Sequence, residues 1–391
     1  MIKTQMKIRN NHRTADHIAG MIIVLATLLS GQNLTFNVSG NIGRADNIFN
    51  SPLAGEQTIF VGEATAAIIP TDDIRLIGTI TRSEVLTDAD LSTSALDLGL
   101  QYRNLDFSKW QLYAGLSLDA SFYAPVYADY DSWQVGGYLT GKYFFKQQMV
   151  ATAGYELENR YYPAVDQASN VVHNFSGTLN RSFKTGTSVN LQAWTAIQDF
   201  LPPPIDYQGR YAATIPEYEE LPTNYLSGAG LRLTHSLHPR LGLVIQTAGQ
   251  YRLNRAETDP TVPDPVVSPF VDIFRWDGWS GSARLNYRPG VYWQISAGIS
   301  HEQRAYLELP IYEFDFAAGE YILIGDEYVI SGYDRQDQKT YVDLVISREW
   351  NLPGLPIFGT TMTIEQGKNQ SNDPLYDYSG NSLSLGLYLT H

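Results

Sequence analysis

The chain ends in "NSLSLGLYLTH", Asn381 to His391, and the reading of these eleven residues decides the fold. Leu383, Leu385, Leu387 and Leu389 alternate with Ser384, Gly386, Tyr388 and Thr390. A period of two belongs to an extended strand with two unlike faces. A soluble sheet would turn the leucine row toward a protein core. A membrane strand would turn it outward, into hydrocarbon.

The same alternation recurs along the chain and gives sixteen strands between residues 33 and 390, with almost no helical period after residue 32. In residues 149–161, Ala151, Ala153, Tyr155, Leu157 and Tyr161 oppose Thr152, Gly154, Glu156, Glu158 and Arg160. In residues 290–306, Val291, Ile295, Ala297 and Ile299 oppose Gln294, Ser296, Ser300, Glu302 and Arg304. The connections alternate between tight ("PTDD" 70–73, "FKTG" 183–186, "RPG" 288–290) and long (84–94, 162–170, 201–224, 255–272, 307–338). A barrel with short turns on one membrane side and loops on the other has this order. A Greek-key sandwich gives no reason for it.

So many apolar faces, with no helices to cover them, are too much surface for one core. Small residues such as Ala114, Ala151, Ala153 and Ala297 also suit lipid contact. Aromatic residues gather at strand ends: Trp110, Tyr143, Phe145, Tyr287, Trp293 and Trp350 by the tight turns, Phe122, Tyr123, Tyr161 and Tyr162 by the long ones. They form the two girdles expected at bilayer interfaces. The leucine row is therefore expected to face lipid.

Composition agrees. Charged residues make up 17% of the 391, below the roughly 25% of soluble domains, and aromatics 12%. There is no cysteine, so disulfides and a lipoprotein anchor are excluded. A formal net charge of −14 disfavours nucleic acid as a partner. Lys3, Lys7, Arg9 and Arg13 precede the run "AGMIIVLATLLSG" (19–31), which reads as a signal peptide over residues 1–31. The expected domain is then one barrel, residues 32–391.

"SLGLYLTH" (384–391) resembles the C-terminal assembly signal of bacterial outer-membrane β-barrels. Ser384, Gly386 and Leu389 match its pattern, and His391 stands where the family usually has phenylalanine or another large aromatic. In strand count the chain resembles the porin group. The resemblance implies the outer membrane, with its lipid and lipopolysaccharide, as the environment and the barrel assembly machinery as a partner. It implies small solutes or ions as cargo, no cofactor, and is compatible with a homo-oligomer.

Inward polar residues are the candidates for function: Glu156, Glu158, Arg160, Arg232, Arg252, Arg284, Glu302, Arg304, Asp343 and Glu365. Opposed acids and bases in a lumen set charge selectivity. They also brace a wall as a salt-bridge lattice, and sequence leaves both roles open. Two long loops are acidic, 201–224 and 307–338. The second carries Asp334 and Asp337 against Arg335 and reads as solvated charge, with a small hairpin turning at Gly325-Asp326. Carboxylates there also suit divalent cations bridging to lipopolysaccharide phosphates. His301 follows Ser300, and neighbours on a strand point to opposite faces, so no nucleophile–base pair forms there. The expected function is passive diffusion through a porin-like channel. The alternative is a surface structural or binding barrel acting through loops 201–224 and 307–338.

Overall fold

The computed structural model describes residues 33–46, 56–104, 109–145, 148–164, 169–201, 223–253, 276–315, 320–324, 327–350 and 357–390. The expected signal segment, His391 and most of loops 201–224 and 255–272 lie outside the described residues.

Sixteen antiparallel strands close into one barrel. They are β1 (Asn33–Ala45), β2 (Gln57–Thr71), β3 (Ile74–Val85), β4 (Thr93–Arg103), β5 (Trp110–Tyr123), β6 (Ser132–Phe145), β7 (Met149–Tyr161) and β8 (Asn170–Ser182). Then follow β9 (Thr187–Phe200), β10 (Asn224–His238), β11 (Leu241–Arg252), β12 (Asp277–Tyr287), β13 (Trp293–Tyr312), β14 (Ile330–Trp350), β15 (Ile357–Ser371) and β16 (Tyr378–Thr390). Each strand pairs with its sequence neighbour, and β1 pairs with β16 from Asn37↔Thr390 to Ala45↔Ser382. Closure leaves no edge, the condition for a sheet in lipid, where an unpaired backbone group costs several kcal/mol. Among the described residues no helix is long and apolar enough to cross a membrane; the crossings are strands.

The leucine row of β16 faces outward. Leu385 is 57% exposed on the bare barrel. Its register neighbours Ile42 and Leu231, Ile245, Ile299 and Val342 elsewhere are likewise exposed large apolar residues. The outer surface is thus an apolar band that water would not tolerate and hydrocarbon covers. The girdles bracket it. At the tight-turn rim Trp110 packs on Tyr143 at 4.6 Å, and Arg348 lies over Trp293 and Trp350 at 5.0 and 4.8 Å. At the long-loop rim Phe122 meets Trp133 edge-on at 5.6 Å. His301 is outward too, accepting or donating at 3.0 Å with Thr340 and lying 5.4 Å from Trp279.

The tight turns use local chemistry. Gly186 closes the β8–β9 turn at φ +72°, where an L side chain is strained. The third long connection is compact: a 3₁₀ segment, Pro125–Tyr130, is tied back by Asp131 accepting from the Tyr123 amide at 2.7 Å.

The seventh loop departs from expectation. Much of 307–338 is strand, since β13 runs 20 residues and β14 runs 21, about twice the 9–11 needed for a crossing. Two further ladders continue the protrusion, Phe314–Asp315 with Glu320–Tyr321 and Leu323–Ile324 with Glu327–Tyr328. The second pairs two residues on either side of the expected hairpin turn, and Gly325-Asp326 itself lies outside the described residues. The outward positions of β14 show where lipid stops. Val342, Leu344 and Ile346 are apolar, whereas Asp334, Gln336 and Gln338 are polar and exposed.

The barrel seam carries a side-chain clamp above the bilayer. The Asp46 carboxylate accepts from the Asn381 amide at 2.5 Å and from its side-chain NH₂ at 3.0 Å. Those two bonds hold its pKa below the usual carboxylate value. A depressed pKa means the stabilisation is present at neutral pH and is lost as pH falls through the folded-state value. Asp46→Ala is expected to lower the temperature at which the folded band disappears in SDS gels by ~2 °C at pH 7. The difference should shrink as pH falls through the depressed folded-state value, where the carboxylate becomes protonated in both states. Equal behaviour of the two proteins at pH 7 would remove the clamp.

Candidate functional site: the charged lumen

Register places all ten candidate residues on the inward face. Gln134 and Arg160 are partners across β6–β7. Arg284, Gly298, Asp343 and Glu365 are consecutive partners across β12–β15. Glu302 and Arg304 share parity with Gly298 on β13. Arg232 and Arg252 share it on β10 and β11, as Glu156 and Glu158 share it with Arg160 on β7.

Three tight pairs form. Arg160 donates to Glu158 at 2.6 Å and to Gln134 at 2.9 Å. Arg304 meets Glu302 at 2.7 Å and lies over the Trp276 ring at 4.6 Å. Arg284 reaches across β13 to Asp343 at 2.8 Å. This last pair needs Gly298, since a Cβ there would collide with both side chains. Among the described residues Glu156, Glu365 and Arg232 enter no ion pair with these groups.

The structure adds lumen residues that were missed. Glu63, Asp97 and Asp119 face inward on β2, β4 and β5, with Asp97 directly opposite Asp119 in the ladder. Arg335 and Asp337, expected as solvated loop charge, lie on the inward face of β14 instead. Asp337 is fully buried and receives both Nε and Nη2 of Arg335, at 3.0 and 2.5 Å. The guanidinium is sandwiched between Tyr306 and Tyr376, 4.4 and 3.2 Å from their centroids. Lys339, opposite Glu302, and the buried Asn369 continue this layer. The correction has a physical source: the strands continue past the bilayer, so their inner faces still pack.

The inward charges are sorted by wall. From β2 to β7 the acids Glu63, Asp97, Asp119, Glu156 and Glu158 face inward with Arg160 in the middle and outer part of the wall. Arg75, Arg103 and Lys142 face inward toward the tight turns. From β10 to β14 the cations Arg232, Arg252, Arg284, Arg304, Arg335 and Lys339 outnumber Glu302, Asp337 and Asp343. In a closed ring of sixteen, β4 and β12 are opposite. Away from the tight-turn ends, where Arg75, Arg103, Lys142 and Glu349 also point inward, the lumen therefore has a more acidic wall facing a more basic one. Between them β8 and β9 put no charge inward, only amides, hydroxyls and apolar groups.

At the outer end of that neutral sector Val172, Ala196 and Leu226 form a buried apolar cluster on the inward face. Among the described residues His173, His235 and His301 face away from the lumen. His173 is outward, hydrogen-bonded to the Tyr155 hydroxyl at 2.9 Å, and His235 is outward against Thr187 at 2.8 Å. No group of three or more His, Asp or Glu is placed for a metal among the described residues.

The chain is a closed, sixteen-stranded antiparallel β-barrel with an apolar outer band and a charged lumen. No family model matches it, and no curated protein does. Among solved structures it is similar to Pseudomonas aeruginosa OccK9 (OpdG), with 12% identity, 93% of this chain and 99% of that chain covered, and a TM-score of 0.49. It is similar to Pseudomonas aeruginosa OccK2 (OpdF) at 8% identity, covering 92% and 98%, with a TM-score of 0.48. For Pseudomonas aeruginosa OprD the values are 10%, 92%, 95% and 0.48.

Proposed function

We propose that the barrel is a passive diffusion channel for small hydrophilic solutes or ions. The observation that carries this reading is the sorting of inward charge, away from the tight-turn ends, into a more acidic wall opposite a more basic one. A merely structural lattice would pair its charges locally, and the inward carboxylates Glu63, Asp97 and Asp119 have no cation opposite them in the ladder. Sixteen strands also enclose more space than side chains fill, whereas about eight would not. Opposed charged walls orient a dipolar solute and rank ions by sign. Glu156, Glu158, Arg160, Arg232, Arg252, Arg284, Glu302, Arg304, Asp343 and Glu365 set that preference, together with Glu63, Asp97 and Asp119.

Export through the 1–31 segment and recognition of Ser384, Gly386, Leu389 and His391 by the assembly machinery belong to the same reading. Outward pairs at the outer rim, Arg44 with Glu56 and Arg82 with Glu84, suit the headgroup layer of lipopolysaccharide.

Planar-bilayer recording tests the channel. The wild type is expected to give ion steps, and Glu63→Gln/Asp97→Asn/Asp119→Asn to lose cation preference. Each neutralised carboxylate is worth about 1 kcal/mol to a cation passing at 4 Å in water. The reversal potential in a KCl gradient should therefore move toward the anion side, most strongly at low salt. A protein that inserts and never conducts removes the proposal. One observation favours the runner-up, a surface-binding barrel: the β13–β14 protrusion stands clear of the bilayer. Removing residues 313–329 should leave conductance intact or larger in a channel, whereas a binder loses its partner without gaining conductance.

A further inference from the structure

Seven tryptophans occur in the chain, and five of them, Trp110, Trp133, Trp279, Trp293 and Trp350, lie outward at the rims. A sixth, Trp276, lies under Arg304 at the outer mouth. Trp194 has neither reason for its position. It is in the middle of β9, seven residues from the turn-side end, and points inward with Gln192 and Gln198. Its register partner on β10 is Gly228, and a Cβ at Gly228 would overlap the indole. The ring thus lies along the wall over bare backbone, and its free face is turned to the lumen. Gln192 lies over Gly230 in the same way.

The surroundings are small and uncharged. Ser176 is the partner of Trp194 on β8, and Gly154 is the next residue in that row on β7. The buried Ala196–Leu226 cluster lies just to the outside, so the indole marks the inner edge of the packed mouth. A charged solute gains nothing from this sector, because β8 and β9 offer it no counter-charge. A ring with an apolar face and a rim of hydroxyls fits it. The indole takes the apolar face, and neutral amides donate and accept at the rim. Resting on the channel reading, we propose that Trp194 on Gly228, flanked by Gln192, is a subsite for neutral sugar rings in transit.

Interruption of the KCl current by cellobiose tests this, with sorbitol, an open-chain polyol that has no ring face, as control. Cellobiose is expected to interrupt wild-type current and sorbitol to leave it alone. Trp194→Ala should raise the half-blocking concentration roughly tenfold, the loss typical of an aromatic anchor, with KCl conductance kept or enlarged. Gly228→Ala, which retains the indole and displaces it, should reproduce the effect, and Trp194→Phe should fall between. Equal interruption by cellobiose and sorbitol, or an unchanged half-blocking concentration in both Trp194→Ala and Gly228→Ala, overturns the subsite. Sugar-insensitive ion steps would sink this inference alone, whereas absent ion steps would sink the channel reading beneath it.

Discussion

Asp337→Leu is expected to destabilise the barrel by roughly 3–5 kcal/mol, the usual consequence of stranding one member of a buried ion pair. Asp337 has no exposed surface and holds the Arg335 fork at both nitrogens. Arg304 is opposite it in register, and Lys339 lies on the same face two residues on, so its loss leaves several cations packed together. Arg335→Met/Asp337→Leu, which removes both charges and keeps the volume, should recover most of the loss. Urea unfolding from lipid vesicles measures both. If the single variant costs less than about 1 kcal/mol, the value for an exposed pair, the outer mouth is solvated and the packed layer is wrong. The single variant should also show noisier current, since this layer fastens the base of the β13–β14 protrusion.

Leu385→Arg is the second large effect. Leu385 stands in the middle of the outward leucine row, where a cation near the bilayer midplane costs about 2–4 kcal/mol. Its neighbour Ser384 faces the lumen, so Ser384→Arg meets water and should leave stability within about 0.5 kcal/mol. The two changes are adjacent in sequence and equal in chemistry, which makes the comparison one of direction alone. Folding yield into vesicles and the urea midpoint are the readouts. Equal tolerance at the two positions would mean that hydrocarbon does not cover the leucine face.

Strand number, order and facing were legible in the sequence because lipid and water impose opposite demands on alternate residues. "LQAWTAIQ" (191–198) or "LSLGLYL" (383–389) has one register that satisfies both. That logic stops where the bilayer stops. In "SGYDRQDQ" (331–338) the outward side chains meet water, so both faces are polar and the strand reads as a loop. The ten inward charges were found by parity. Asp97 opposite Asp119 was not, because it needs the register of β4 on β5, and a lone carboxylate on a strand carries no sign of its partner. Trp194 was open to discovery: a tryptophan of inward parity far from either strand end does not belong to a girdle. Its seat on Gly228 required the coordinates.

The seam between the first strand and the last has a consequence for biosynthesis. On one side the backbone of Asn37 to Ala45 is satisfied only by residues 382–390. A polypeptide cut short by a dozen residues has two raw borders that hydrocarbon will not accept. Such a product has no route to a leaky, partly built pore, because it cannot settle in the membrane at all. Closure of the seam is thereby a condition for the whole barrel to settle in lipid.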